Sequence, residues 1–175
     1  LVNNAGITTR AQLDDANFGD EIDRVMAVNL KGALNLTRGL VPQLKETRGT
    51  IVNVASIAAF LPGPGMAVYY ASKAYVLSLS DALHNELGRH GVRVTALCPG
   101  PVPTEFQARA GFTAGMDSAI LNVSAEKVAL AGYCGLMRGK RVVLPGLGVR
   151  AIPFLLRFVP RGFVLSMVGL IQRRR

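Results

Sequence analysis

The chain has 175 residues, half of them hydrophobic, and a formal net charge of +9. That is enough for one globular domain, and with no low-complexity tract or internal repeat it excludes a disordered or fibrous protein. Two cysteines, Cys98 and Cys134, exclude a disulfide scaffold, lack metal-ligand spacing and suit a reducing, cytoplasmic compartment, so no metal is expected.

Strands and helices alternate along the chain. Leu1 to Asn4 reads as the tail of a strand. Asn17 is the expected N-cap of a helix with Asp20, Glu21 and Asp23 in its first turns, where the helix dipole favours acids. Phe18, Ile22, Val25, Leu30, Ala33, Leu34, Leu40 and Leu44 recur near helical spacing, predicting one long amphipathic helix perturbed near Pro42. Ile51 to Val54 is a short β-branched strand, and Gly63-Pro64-Gly65 turns the chain. A second helix runs from about Ala67 to near Gly91, a strand covers Val92 to Leu97, a helix follows Ser124 over Glu126 to Met137, and Arg141 to Leu144 is the last strand. This alternation predicts an α/β fold, a parallel sheet with helices on both faces, which binds ligands at the carboxyl ends of its strands.

Tyr69 and Lys73 stand four residues apart, one helical turn, and Ser56 lies thirteen residues before Tyr69 at the end of a strand. A free phenol titrates near ~10, and bringing it to roughly 7 requires about 4 kcal/mol. A cation about 4 Å away at an effective dielectric of about 20 supplies that order of energy. Ser56 would then hydrogen-bond the substrate oxygen that Tyr69 protonates or deprotonates. A chance Tyr-x-x-x-Lys is common, but the neighbouring motifs weigh against chance here.

With those neighbours the chain resembles the short-chain dehydrogenase/reductase family, strongly over residues 1 to 105. The family's Ser, Tyr and Lys correspond to Ser56, Tyr69 and Lys73; Tyr70, only three before Lys73, is the rival set aside. Asn3-Asn4-Ala5-Gly6, Asn29 within Val28-Asn29-Leu30, and Pro99-Gly100-Pro101-Val102-Pro103-Thr104 are further marks. The resemblance implies a Rossmann-like doubly wound sheet and hydride transfer between NAD or NADP and a carbonyl or secondary alcohol. Tyr69 is then the acid or base. Lys73 lowers its pKa and holds the nicotinamide ribose, and Ser56 steadies the substrate oxygen. Asn29, at a helix irregularity, helps hold a water in a proton relay from Lys73. Asn4, Ala5 and Gly6 pass the ribose and adenine side, Pro99 and Gly100 let the backbone approach the ring, Val102 offers its main chain to the carboxamide, and Thr104 hydrogen-bonds nearby. A homo-oligomer is implied for a complete protein. The family's glycine-rich pyrophosphate turn is not among these residues. The chain therefore reads as missing the first βαβαβ portion of the domain, and it is expected to bind a dinucleotide poorly by itself.

The expected division is a dinucleotide-binding portion over 1–146 and an apolar, basic, helical tail over 147–175. Residues 1 to 126 carry 10 basic and 11 acidic side chains, whereas 127 to 175 carry 10 basic and none acidic. The tail's longest uncharged run, Gly162 to Gln172, is too short for a spanning helix, which needs about 20 apolar residues. Arg150 to Arg175 reads equally as a peripheral membrane contact or as a cover over the pocket or a subunit interface. No nucleic-acid partner is expected, since the cations lack polar and aromatic interleaving. In Glu105 to Val123, where the resemblance places the family's variable substrate loop, the residues Phe106, Phe112, Met116, Ile120 and Leu121 point to an apolar substrate or to core packing.

Overall fold

The computed structural model describes residues 1–9, 14–106 and 122–173. Four strands, β1 (Val2–Asn3), β2 (Thr50–Val54), β3 (Arg93–Leu97) and β4 (Val142–Val143), lie in that order across one sheet among the described residues. Every neighbouring pair is parallel, with Val52 opposite both Val2 and Thr95 and Leu97 opposite Val143. Parallel neighbours need crossovers, and helices supply them. The first is built from α1 (Phe18–Met26), a π-helical turn (Ala27–Gly32) and α2 (Ala33–Glu46); α3 (Ala67–Gly88) and α4 (Ala125–Met137) follow, then α5 (Leu147–Leu155) and α6 (Arg161–Arg173). The doubly wound arrangement read from the sequence is thus present.

Strand alternation sends adjacent residues into opposite layers. Ile51, Val92 and Val94 pack with Leu87 of α3 and with Val41 and Leu44 of α2, whereas Val52, Leu97 and Val143 pack with Val128 and Leu136 of α4. Gly132 and Gly135 bring α4 close to the sheet: a methyl group at the first would press on Leu97 and one at the second would overlap Val143.

The long first helix differs from expectation in one respect. It continues unbroken through Pro42 to Glu46, and its irregularity falls instead at Ala27–Gly32. Pro42 lies on the exposed side of α2, where water can satisfy the carbonyl that the ring leaves without a partner. At the π-turn, Asn29 is buried and its side chain is bonded away from its own helix, which favours a local change of winding. Asn17 does occupy the N-cap position, but its side chain makes no capping bond.

The close approach at α4 has a measurable consequence. Gly135→Ala is expected to destabilise the chain by about 1–3 kcal/mol through overpacking against Val143, seen as a lower midpoint in urea with an unchanged slope.

Candidate active site

At the carboxyl end of β2 the backbone is still paired after the strand stops. The amides of Ala55 and Ile57 donate to the carbonyls of Leu97 (2.8 Å) and Pro99 (2.9 Å). Ser56 is therefore held in extended conformation beside the loop that follows β3, and its Oγ accepts from the Ala58 amide at 3.1 Å, starting a 3₁₀ turn over Ile57–Phe60. Gly63-Pro64-Gly65 then reverses the chain; Gly63 has the Tyr70 ring where a side chain would stand, and Gly65 adopts φ 77°. Helix α3 begins at Ala67, so Tyr69 stands in its first turn and Lys73 one turn further on, both facing the strand ends.

A cleft of about 1420 Å³ runs over these ends. Its lining includes Ser56, Tyr69 and Lys73, together with Asn4, Ala5 and Gly6 after β1 and Pro99, Gly100, Val102 and Thr104 after β3. One cavity thus gathers residues from three strand ends and from α3, with α1, α4 and α6 contributing to its walls. Asn29 does not line it. It lies behind Gly6, where a Cβ would come within 3.3 Å of Lys73 Nζ and 3.6 Å of Asn29 Oδ1.

Lys73 is only 6% exposed, and its Nζ donates to the Val54 carbonyl at 2.9 Å. Burial disfavours the ammonium and lowers its pKa to about 8, with Cys98 opposing that shift. Tyr69 is 9% exposed. Burial pushes its phenol up to about 12; the Ser56 hydroxyl draws it partly back, and Tyr70 adds a smaller upward push. The expected depression of the Tyr69 pKa by Lys73 is therefore not found in this arrangement. The ammonium lies 5.8 Å from the Tyr69 ring centroid and is turned to the Val54 carbonyl, so desolvation of the phenolate dominates. At neutral pH the pair is a neutral phenol beside an ammonium.

Asn29 has a definite structural task. Its Nδ2 donates to the Ile7 carbonyl (2.9 Å) and to Ser72 Oγ (3.0 Å), while its Oδ1 accepts from the Ile7 amide (2.8 Å). Ser72 in turn donates to the Tyr69 carbonyl at 2.7 Å. The amide thereby ties the loop after β1 to the turn of α3 that carries Tyr69. Ser72 and Ser80 of α3 are likewise buried and bonded across elements. Asn53 Nδ2 donates to Ser80 Oγ (2.9 Å), and Asn3 Nδ2 is shared between Asn53 Oδ1 (2.8 Å) and Thr37 Oγ1 (3.0 Å). Asn53 was the available signal, since it breaks the apolar run Ile51-Val52-Asn53-Val54.

Thr104 Oγ1 donates to the Val102 carbonyl at 3.4 Å, and Val102 both packs on the Val52–Leu97 cluster and lines the cleft. Phe106 packs beside the Ala58, Met66 and Tyr69 cluster, with its ring tilted 6.0 Å from that of Tyr69, and it lines the cleft. Phe112, Met116, Ile120 and Leu121 lie outside the described residues, as do Arg174 and Arg175. Gln172 of α6 also lines the cleft, with no local sequence signal to mark it, and donates through Nε2 to Tyr70 Oη at 3.2 Å, across 102 positions of sequence.

The chain is similar to known proteins in sequence and in fold. A family model described as short chain dehydrogenase matches residues 1–113. The chain is 42% identical over 116 residues to a probable oxidoreductase, EphD, of Mycobacterium tuberculosis, covering 65% of this chain and 19% of that protein. It is 43% identical over 105 residues to the 3-oxoacyl-[acyl-carrier-protein] reductase FabG of Thermotoga maritima, covering 59% and 42%. Among solved structures, a short-chain dehydrogenase from Sphingobium yanoikuyae in complex with NADPH superposes with a TM-score of 0.77 at 30% identity, over 93% of this chain and 63% of that one. One from Burkholderia cenocepacia in complex with NADP gives 0.79 at 30% identity, over 96% and 69%. The chain belongs to the short-chain dehydrogenase/reductase family. It spans less than half the length of these curated relatives.

The buried ammonium sets a pH test. Because the folded-state pKa of Lys73 is depressed to about 8 from 10.5, the unfolded chain binds the extra proton between those values, and the Lys73 contribution to stability rises with pH across that window. Relative to wild type, Lys73→Met is expected to be the more stable below pH 8, by up to about 3 kcal/mol. That advantage should shrink toward pH 10, as read from urea midpoints of the two proteins along a pH series.

Proposed function

We propose that this chain carries the acid–base half of an NAD(P)-dependent oxidoreductase that interconverts an apolar carbonyl compound and its secondary alcohol. One observation carries the reading: Ser56, Tyr69 and Lys73 meet in a single cleft at the carboxyl ends of the strands, with the ammonium buried beside a neutral phenol. NAD or NADP, when bound, supplies or accepts the hydride. The donor set suits a nicotinamide nucleotide, because Asn4, Gly6, Gly100 and Thr104 line the cleft at two neighbouring strand ends and Lys73 offers a cation for ribose hydroxyls.

In the reducing direction Ser56 donates a hydrogen bond to the substrate carbonyl oxygen, and Tyr69 gives its proton to that oxygen as charge develops there. Lys73 stabilises the phenolate left behind, so its field acts on the product of proton transfer. Oxidation runs the same steps backward. Asn29 keeps the loop after β1 in register with Tyr69 and Lys73 and so supports the relay that returns the proton. On the cofactor side, Asn4, Ala5 and Gly6 border the ribose and adenine, while Pro99, Gly100, Val102 and Thr104 border the nicotinamide. Met66, Ala58 and Phe106 around Tyr69 favour an apolar substrate.

A second reading, a short-chain-dehydrogenase fold used as a binding module at a membrane or between subunits, draws support from the exposed apolar residues of α5 and α6. No helix among the described residues is long and apolar enough to cross a membrane, so such contact would be peripheral, on a protein proposed to be cytoplasmic. Retention of all three acid–base residues favours the catalytic reading, since a binding module has no use for a buried ammonium.

Tyr69→Phe tests the reading by removing only the transferable proton. Oxidation of reduced cofactor is followed with medium-chain ketones, in the 175-residue chain and in the same chain joined to a glycine-rich pyrophosphate-binding segment. The substitution is expected to lower turnover by about 10²–10⁴ while cofactor binding persists, and unchanged turnover would sink it.

A further inference from the structure

Helix α6 buries Val164 and Val168, four residues apart on its inner face. That leaves Phe163, Leu165, Met167, Leu170 and Ile171 exposed, between 44% and 64%. Helix α5 and the turn after it add Phe154 and Phe158, 59% and 73% exposed, whose rings meet edge to face at 5.3 Å. An outer surface this apolar is not one that water completes. Among the described residues the exposed cations of the same segment are Arg150, Arg157 and Arg161, and residues 127 to 175 contain no Asp or Glu.

Charge decides among occupants. A second copy docked tail to tail would bring these arginines together with no acid to meet them. The one acidic patch elsewhere, Asp14, Asp15, Asp20, Glu21 and Asp23 about the start of α1, could meet the arginines head to tail, but no exposed large apolar residue lies within it to face the phenylalanines. An anionic bilayer satisfies both features at once, giving phosphates to the arginines and an acyl boundary to the phenylalanines. We propose that α5 and α6 dock in the headgroup layer of an anionic phospholipid membrane, with Phe154, Phe158 and Phe163 inserted and Arg150, Arg157 and Arg161 on the phosphates. This rests on the second reading above, the tail as a contact surface, and not on hydride transfer. The docked helix is also a wall of the cleft, because Gln172 at its inner end holds Tyr70 and Gly169 lies against Pro64. An apolar substrate dissolved in the bilayer therefore has a short way to the site.

The test is co-sedimentation of the 175-residue chain with vesicles of phosphatidylcholine alone and of phosphatidylcholine mixed with phosphatidylglycerol, at low and high salt. Binding is expected only to the mixed vesicles and should weaken several-fold at high salt. The double variant Phe158→Ser with Phe163→Ser should lower the partition constant at least about tenfold, and Arg157→Gln with Arg161→Gln should lower it about tenfold or more. Circular dichroism melts of each variant show that the fold is kept. A folded chain that ignores mixed vesicles at low salt overturns the proposal, as does binding indifferent to both double variants. A solution dimer dissociated by Phe158→Ser without vesicle binding would assign the face to a second copy. Tyr69→Phe should leave vesicle binding unchanged, so failure of the hydride-transfer reading and failure of this one show up in separate measurements.

Discussion

One ammonium group inside the fold organises this site. Lys73 is almost fully enclosed, and an uncompensated buried charge costs several kcal/mol, so its surroundings must answer it with polar atoms at fixed places. The Val54 carbonyl does so directly, which requires β2 to end where its last carbonyl turns toward α3. Gly6 leaves room for the Nζ, and the loop after β1 passes close by because it has no side chain there. The same burial that lowers the Lys73 pKa raises that of Tyr69, so the two groups are poised as cation and proton donor.

Holding that geometry falls to a set of buried amides and hydroxyls. Asn29 leaves its own helix to bind the backbone of Ile7 and the hydroxyl of Ser72, and the helix accommodates this by widening into a π-turn. Asn3, Asn53, Thr37 and Ser80 form a second chain of bonds under the strand ends, linking β1, β2, α2 and α3. Such bonds are directional, unlike packing of Val and Leu, and they fix where each strand end lies relative to α3. A loop after β1 and a turn of α3, far apart in sequence, thus share one rigid frame.

Much of the fold was legible because its signals are local. β2 and β3 follow from β-branched runs, α4 from Ser124 as an N-cap that accepts from the Lys127 amide, and the parallel order from the alternation of elements. The position of the helix irregularity was not legible from composition alone. Pro42 is the residue that ordinarily breaks a helix, but it faces solvent, whereas Asn29 looks innocuous until its partners 22 and 43 residues away are known. Only the family resemblance pointed to it. Gln172 escaped for the same reason: nothing near it in sequence marks a residue that reaches Tyr70.

By itself, then, the sequence determined which chemistry is available: a Ser, a Tyr and a Lys at spacings that strand and helix geometry convert into proximity, and a C-terminal part with cations and no acids. The tertiary structure decided the electrostatic state of that chemistry. Spacing along one helix places Tyr69 and Lys73 on a common face, but whether the phenol is lowered or raised depends on how much water reaches it and on where the ammonium points. Those are set by β2, by the loop after β1 and by Phe106, none of which the four-residue spacing contains. Desolvation is a property of everything packed around a group, and so it is decided only when the chain is folded.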